Sequence, residues 1–131
     1  MVRKVANILL YDDQKRFLFH QRTDDAPTFP GEWGVFGGGI EEGETPKEAV
    51  KRECFEELEY KLINPKIVLN VQKETRFGAR DLFLFMEKYN STKKLILHEG
   101  QKMAWIAKNE LKNIALSDFW VDIIEQMYEK I

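Results

Sequence analysis

The apolar and polar positions in the first third of the chain predict a β-hairpin, a loop and a short third strand. Residues 5–11 are mostly aliphatic, a polar turn follows, and residues 16–22 alternate like a returning strand. Residues 23–32 include two prolines and a glycine, which predict a loop, and residues 33–36 read as a short extended segment. We expect the glycines at 37–39 to end that segment.

An amphipathic helix is predicted to begin after Thr45 and to run to about residue 58. Thr45 is a favourable N-cap, Pro46 suits the first helical position, and Glu48 stands three residues after the cap, where it completes a capping box. Apolar residues then recur at helical spacing and give the helix one buried side. These residues are Val50, Cys54 and Leu58.

The remaining pattern predicts three further strands and a second helix. Ser117 is a suitable N-cap, and apolar residues recur after it at helical spacing through Met127, which favours a helix with one face on a sheet. The order β-β-β-α-β-β-β-α predicts the α/β class, with a mixed sheet and helices packed on it. No repeat or linker divides the chain, so residues 1–131 are predicted to form a single domain. The predicted strands cover residues 67–71, 82–86 and 103–107.

Composition and charge narrow the functional classes. The chain is 44% hydrophobic and 32% charged, which is the balance of an ordinary globular protein. A net charge of -2 argues against a surface that coats nucleic acid, so any phosphate recognition should be local. Cys54 is the only cysteine, which excludes an internal disulfide, and its place on the apolar stripe favours a core position. We expect a cytoplasmic protein without a membrane segment.

Three glutamates share one face of the predicted helix. Glu53, Glu56 and Glu57 are three and four positions apart, so their carboxylates are neighbours and repel one another. Taken alone, such a charge run is usually a solvated face. A hard divalent cation such as Mg²⁺ would instead use these oxygens as ligands, and the glycines before the helix would let the backbone approach a phosphate or a metal.

The segment from residue 38 to residue 60 resembles the Nudix box, Gly-x5-Glu-x7-Arg-Glu-U-x-Glu-Glu-x-Gly-U, in which U is bulky and apolar. Two positions depart from the family: Glu59 stands where the box has glycine, and Phe36 stands where many members have proline. A residue other than glycine at a left-handed helix end costs on the order of 1 kcal/mol. The matching residues are Gly38, Glu44, Arg52, Glu53, Glu56 and Glu57, with Cys54 and Tyr60 at the two U positions.

The resemblance implies a Nudix α/β/α sandwich and hydrolysis of a phosphoanhydride bond. It implies that Mg²⁺ or Mn²⁺ is bound by Glu53, Glu56 and Glu57 with the backbone carbonyl of Gly37, and that one of the glutamates is the general base. It also implies that Arg52 and Glu44, with Gly38, brace the loop and helix. The segment 99–101 is similar to one in family members that clean oxidised guanine nucleotides, so Glu99 is a further candidate ligand or base.

Four residues outside the box helix are candidate contacts to substrate. Arg22 would contact a phosphate or a base, Trp33 and Phe36 would stack on a base, and Asp118, at the start of the last helix, would recognise one. For Trp33 and Phe36 the alternative is a place in the core, because aromatic residues are more often buried there.

The sequence leaves the substrate class open. Our first choice is a nucleoside triphosphate, with a normal or an oxidised base, cleaved to a nucleoside monophosphate and pyrophosphate. The alternatives are an ADP-ribose or nucleotide-sugar pyrophosphatase and a catalytically silent module that binds a nucleotide or ADP-ribose. We expect no nucleic acid or membrane partner, and either a monomer or a homodimer.

Overall fold

The computed structural model describes residues 1–131 and contains seven strands and two α-helices. Two short 3-10 helices, Lys108–Asn113 and Tyr128–Lys130, flank the last α-helix. No helix is long and apolar enough to cross a membrane. The strands are β1 (Arg3–Tyr11), β2 (Phe17–Gln21), β3 (Trp33–Gly34), β4 (Phe36–Gly39), β5 (Lys66–Thr75), β6 (Gly78–Lys88) and β7 (Lys102–Ile106), and the helices are α1 (Pro46–Leu58) and α2 (Asp118–Met127).

The strands form one mixed sheet with β1 at its centre. β1 runs parallel to β6 along its whole length, and β6 pairs antiparallel with β5. On its other edge β1 pairs antiparallel with β4 and, at its end, with β2. β2 also pairs with β3 and β7. β1 and β6 form a parallel pair, whereas the other strand pairs are antiparallel. The sheet is therefore mixed, as predicted.

The two faces of the sheet are covered by different helices. Because side chains alternate along a strand, Ile8 of β1 packs with Val50 of α1 in one core, whereas Leu9 packs with Ile124 of α2 in the other. All four side chains are essentially inaccessible to solvent. This is the α/β/α layering that was predicted.

The predicted ends of α1 are confirmed. The Thr45 hydroxyl accepts a hydrogen bond from the Glu48 backbone N–H at 3.1 Å, and the Glu48 carboxylate accepts one from the Thr45 N–H at 2.9 Å. Glu59 ends the helix in the left-handed conformation, with φ 53°. α2 begins directly after Ser117 as predicted, but the Ser117 hydroxyl makes no capping hydrogen bond.

The prediction for residues 33–39 was wrong in its details. The segment contains two strands, and the three glycines belong to β4 rather than ending a strand. The reason is Asn7, whose side-chain amide donates to the carbonyls of Val35 and Phe36 at 3.1 Å each and fixes the backbone between the strands. Strands β5 and β6 are also longer than predicted, because their polar halves continue to the turn that joins them.

Candidate active site

A cavity of about 380 Å³ opens between the central sheet, α1, α2 and the loop after β2. Carboxylates, arginines and aromatic rings are among the side chains of its wall. Glu53, Glu57 and Glu99 are the carboxylates, so the structure brings three of the four predicted catalytic glutamates to one cavity.

Two glycines of β4 let the α1 carboxylates lie against the strand. The Gly37 N–H donates a hydrogen bond to Glu57 Oε1 at 2.8 Å. A Cβ atom at Gly38 would lie 2.6 Å from Glu53 Oε1, and one at Gly37 would lie 2.2 Å from the Ala6 carbonyl oxygen. Gly37 also has a φ of 140°, which side chains disfavour. Larger residues at these positions would displace the carboxylates or the strand.

Glu57 is a buried carboxyl group that forms no ion pair with a cationic side chain. Glu57 is only 3% exposed. Burial, followed by the neighbouring Glu99 and Glu53 carboxyl groups, raises the pKa of Glu57 to about 10, and the Gly37 N–H opposes this only in part. Burial also raises the pKa of Glu53, although Arg52 acts in the opposite direction. The structure therefore favours a cation between these groups.

Arg52 connects the glycine-containing loop to α1. Its Nε and Nη2 donate to the two Glu44 carboxylate oxygens at 2.7 and 3.0 Å, and Nη2 also donates to the Gly39 carbonyl at 3.1 Å. These hydrogen bonds lower the pKa of Glu44 to about 2. The fork of one guanidinium thus holds the loop, the strand and the helix together.

Glu56 lies apart from the cavity in this structure. Its carboxylate accepts a hydrogen bond from Arg52 Nη1 at 2.8 Å, and its side chain is 56% exposed. Arg52 Nη1 also donates to Glu53 at 3.1 Å. Glu56 would therefore have to leave Arg52 to join a metal ion held by the cavity carboxylates.

The loop that carries Glu99 is attached to the end of α1. The backbone N–H groups of Ile96 and His98 donate to the carbonyls of Leu58 and Glu57 at 3.0 and 2.8 Å, so they occupy carbonyls that a helix end leaves free. The His98 ring and the Glu59 carboxylate lie 2.5 Å apart. Glu59, which departs from the family pattern, thus adds a contact to the loop of Glu99.

The donor set fits a hard divalent cation. Carboxylate oxygens and a strand carbonyl are the ligands that Mg²⁺ and Mn²⁺ prefer, and Glu57 takes part in none of the ion pairs that Arg52 makes with the other glutamates of the box. No three acidic or histidine side chains already surround a single point. The side chains would therefore close around an ion as it binds.

Arg22 and Trp33 line the cavity, as expected for substrate contacts. Phe36 and Asp118 do not. Phe36 is 1% exposed because its side chain points to the α1 side of the sheet, where it packs in the core. Asp118 is the first residue of α2 and points outward, with a side chain 83% exposed and 3.6 Å from Arg76.

Several cavity residues were not expected from the sequence, and four of them carry polar groups of particular interest. Arg3 and Arg80 line the cavity from neighbouring strands. The Ser117 hydroxyl and His20 Nδ1 are buried without a hydrogen-bond partner. Burial lowers the pKa of His20 to about 4, so its ring is neutral. The sequence offered no signal for these residues, because their placement depends on which strands become neighbours.

Comparisons with known proteins agree with this architecture. Residues 1–127 match the model of the NUDIX domain. The chain is 29% identical to the nucleoside triphosphatase NudI of Escherichia fergusonii, with 82% of this chain and 84% of the relative covered. It is 27% identical to NudI of Escherichia coli K12, with the same coverage.

Solved structures show the same fold. The MutT protein from Methanosarcina mazei Go1 superposes with a TM-score of 0.84 at 20% identity, covering 98% of this chain and 94% of that one. The NUDIX domain of Shewanella oneidensis NrtR, complexed with ADP ribose, superposes with a TM-score of 0.82 at 19% identity, covering 99% of this chain and 88% of that one. The box, the sheet with its two helices and the match over nearly the whole chain lead to one conclusion: this protein belongs to the Nudix hydrolase family.

Proposed function

We propose that this protein hydrolyses nucleoside triphosphates to nucleoside monophosphates and pyrophosphate, with Mg²⁺ as its preferred cofactor. The observation that carries the proposal is the convergence of Glu53, Glu57 and Glu99 on a cavity that also has aromatic walls. The two NudI relatives, which are nucleoside triphosphatases by name, support the choice of a triphosphate.

The metal ligands in this proposal are Glu53, Glu57 and the carbonyl oxygen of Gly37. Glu56, which is on the same helix face, would join them after leaving Arg52. A bound Mg²⁺ would neutralise charge on phosphoryl oxygens and lower the pKa of a bound water. Mn²⁺ has the same ligand preference and should substitute for it.

The residues of this chain orient the groups that react. The Gly37 N–H donates a hydrogen bond to the Glu57 carboxylate, and Arg52 holds α1, which carries both proposed metal-binding glutamates, against the Gly39 carbonyl of β4. Glu99 is the proposed general base: it accepts a proton as a water oxygen attacks phosphorus and the anhydride P–O bond breaks. Pyrophosphate leaves with the bonding electrons.

Aromatic residues on the opposite wall suit a nucleobase. Phe119 and Trp120 of α2 make an edge-to-face pair with ring centroids 4.8 Å apart, and Trp33 lies on the same cavity. Such rings offer flat apolar surface for stacking. Arg22 lines the same cavity and would contact a phosphate or the base; its Nε donates a hydrogen bond to the Thr28 carbonyl at 2.7 Å.

The assembly and location belong to the same proposal. The domain of residues 1–131 would act on a small nucleotide, without nucleic acid or membrane, as a monomer or a homodimer. We place it in the cytoplasm, because Cys54 is a free buried thiol and a reducing compartment suits it. Light scattering of the purified protein would give the oligomeric state.

The test is a substrate panel. Purified protein would be incubated with nucleoside triphosphates, oxidised guanine nucleotides, nucleotide sugars, ADP-ribose and dinucleoside polyphosphates, with Mg²⁺ or with EDTA. Glu57→Gln removes a proposed ligand, and Glu125→Gln, at an exposed position of α2, is the matched control. We expect pyrophosphate from triphosphates only with metal, in the parent and in the control. Binding of ADP-ribose without any turnover would contradict the proposal and favour a sensing domain.

A further inference from the structure

His20 is a buried histidine in the wall of the active-site cavity. Only 4% of the residue is exposed, and its Nδ1 atom has no hydrogen-bond partner. Because burial lowers the pKa of His20 to about 4, the ring is neutral, and a neutral imidazole has one nitrogen that can accept a hydrogen bond. A buried polar atom without a partner is uncommon and costs free energy, which indicates that Nδ1 gains a partner in another state of the protein.

Strand pairing and stacking hold the imidazole ring in place. His20 pairs with Gly34 of β3 on one side of β2 and with Met103 of β7 on the other. Its ring stacks on the Phe36 ring, with centroids 4.4 Å apart and an angle of 26° between the planes. Phe36 stands where many family members have proline, so this stacking partner is a feature of the present chain. A ring fixed in this way is suited to position a neighbouring loop.

The backbone next to His20 Nδ1 belongs to the segment that carries Glu99. The position of a Cβ at Gly100 is 2.9 Å from His20 Nδ1 and 2.6 Å from the Gln21 carbonyl oxygen. Gly100 also has a φ of 88°, which side chains disfavour. The glycine therefore lets the backbone pack directly against the imidazole ring, one residue after Glu99.

The residues on both sides of Glu99 and Gly100 are held by backbone hydrogen bonds, whereas these two are not. The residue before them donates its N–H to the Glu57 carbonyl, and the residue after them donates to the Gln21 carbonyl, both at 2.8 Å. The N–H groups of Glu99 and Gly100 donate to no backbone carbonyl. An acceptor without a partner, His20 Nδ1, thus lies beside backbone donors that also lack one.

We propose that His20 is a positioning residue for Glu99: in the metal-bound protein its Nδ1 accepts a hydrogen bond from the Gly100 N–H, which directs the Glu99 carboxylate to the attacking water. This N–H belongs to the peptide plane that begins at the Glu99 Cα atom, so fixing it restricts the orientation of the Glu99 side chain. The catalytic part of the inference rests on the proposed function; the hydrogen bond rests on the packing of Gly100 against His20.

The test separates the hydrogen bond from the shape of the ring. His20→Asn keeps an acceptor oxygen two bonds from Cβ, where the histidine has Nδ1, whereas His20→Leu has an apolar side chain without an acceptor. Phe19→Leu is the matched control, because Phe19 precedes His20 in β2, is fully buried in the α2 core and does not line the cavity. The measurements are kcat and KM for the nucleotide that the substrate panel identifies, the melting temperature, and amide hydrogen exchange at Gly100 by nuclear magnetic resonance.

We expect His20→Leu to lower kcat by about 10-fold, the effect of losing one hydrogen bond that orients a reacting group. KM should stay within about 2-fold of the parent value, because the general base acts in the transition state. His20→Asn should recover most of the lost kcat. Phe19→Leu should lower the melting temperature, since it leaves a cavity in the core, but should keep the parent kcat.

Hydrogen exchange tests the proposed contact without any catalytic turnover. Addition of Mg²⁺ should slow exchange of the Gly100 N–H by about 10-fold or more in the parent and in His20→Asn, because the amide gains a hydrogen bond. In His20→Leu, Mg²⁺ should leave the exchange rate of Gly100 within about 2-fold of the metal-free rate.

Three results would overturn the inference. An equal loss of kcat in His20→Asn and His20→Leu would assign the effect to the shape of the ring. An equal loss in Phe19→Leu and His20→Leu would assign it to general destabilisation of β2. Unchanged exchange at Gly100 when Mg²⁺ is added to the parent would exclude the hydrogen bond. If no nucleotide is cleaved but Mg²⁺ protects Gly100 only when residue 20 has an acceptor, the proposed function fails and the hydrogen bond stands.

Discussion

Glu44 and Glu57 are two glutamates of the same sequence motif in opposite environments. Glu44 accepts two hydrogen bonds from Arg52, and its pKa falls to about 2. Glu57 is buried beside other carboxyl groups, accepts one backbone N–H, and has a pKa raised to about 10. Arg52 forms an ion pair with Glu44, whereas no cationic side chain forms one with Glu57. This difference separates a glutamate that braces the structure from one that awaits a metal ion.

The largest expected effect is on activity and comes from replacing Glu57, the carboxyl group without a cationic partner. Glu57→Gln should lower kcat/KM by roughly 10³-fold, because a proposed metal ligand beside the reacting phosphate is lost. Steady-state assays of pyrophosphate release at saturating Mg²⁺ measure it. Glu125→Gln should keep the parent rate. A Glu57→Gln rate within a few-fold of the parent rate would contradict the role of Glu57 as a metal ligand.

Removing Arg52, the cationic partner of Glu44, should affect the stability of the protein. Arg52→Met removes the two hydrogen bonds from Arg52 to the Glu44 carboxylate and the one to the Gly39 carbonyl, so that Glu44 keeps only the Glu41 N–H, and it should lower the free energy of unfolding clearly more than the control variant does. Urea unfolding of the metal-free protein measures it. Arg16→Met, which removes the surface pair with Asp12, is the control and should cost at most about 1 kcal/mol. Equal losses in the two variants would show that Arg52 is an ordinary surface arginine.

The pKa of Glu57 predicts a pH dependence for the metal-free protein. Its folded pKa, about 10, is above the ordinary value of 4.5, so its contribution to stability is complete below that value and is lost as the pH rises toward 10. The loss is at most about 1.4 kcal/mol for each pH unit. In EDTA, the melting temperature of Glu57→Gln minus that of the parent should therefore increase between pH 5 and pH 9. A constant difference would contradict the assignment.

The smallest effect is expected at the end of α1. Glu59→Gly relieves the left-handed conformation, which costs on the order of 1 kcal/mol, and loses the exposed contact to His98, which contributes a similar or smaller amount. Net stability should change by less than about 1 kcal/mol. We expect kcat to fall a few-fold, because the loop of Glu99 loses one attachment. Unchanged kcat would mean that the backbone hydrogen bonds of the loop are sufficient.

Local signals in the sequence predicted the helices and the position of the box. The Thr45 cap, the apolar stripe of α1 and the left-handed end at Glu59 depend on neighbouring residues, and all appear in the structure. The layering of helices on a mixed sheet followed from the order of elements and from the resemblance to the family.

Features that depend on strand pairing were not predictable. Phe36 was expected to contact substrate, but its alternation along β4 directs it to the α1 core. Arg3 and Arg80 are 77 residues apart in sequence and became neighbours only through the register of β1 and β6. The strand character of Gly37 likewise depends on the distant amide of Asn7, which holds the preceding backbone.

The most direct test of the account is an equilibrium titration of the metal-free protein with Mn²⁺, followed by electron paramagnetic resonance of the free ion. We expect the parent and Glu125→Gln to bind Mn²⁺ and Glu57→Gln to bind it at least about 10-fold more weakly, because a charged ligand is lost. Equal Mn²⁺ affinity in the parent and Glu57→Gln would contradict the claim that the cavity carboxylates form the metal site.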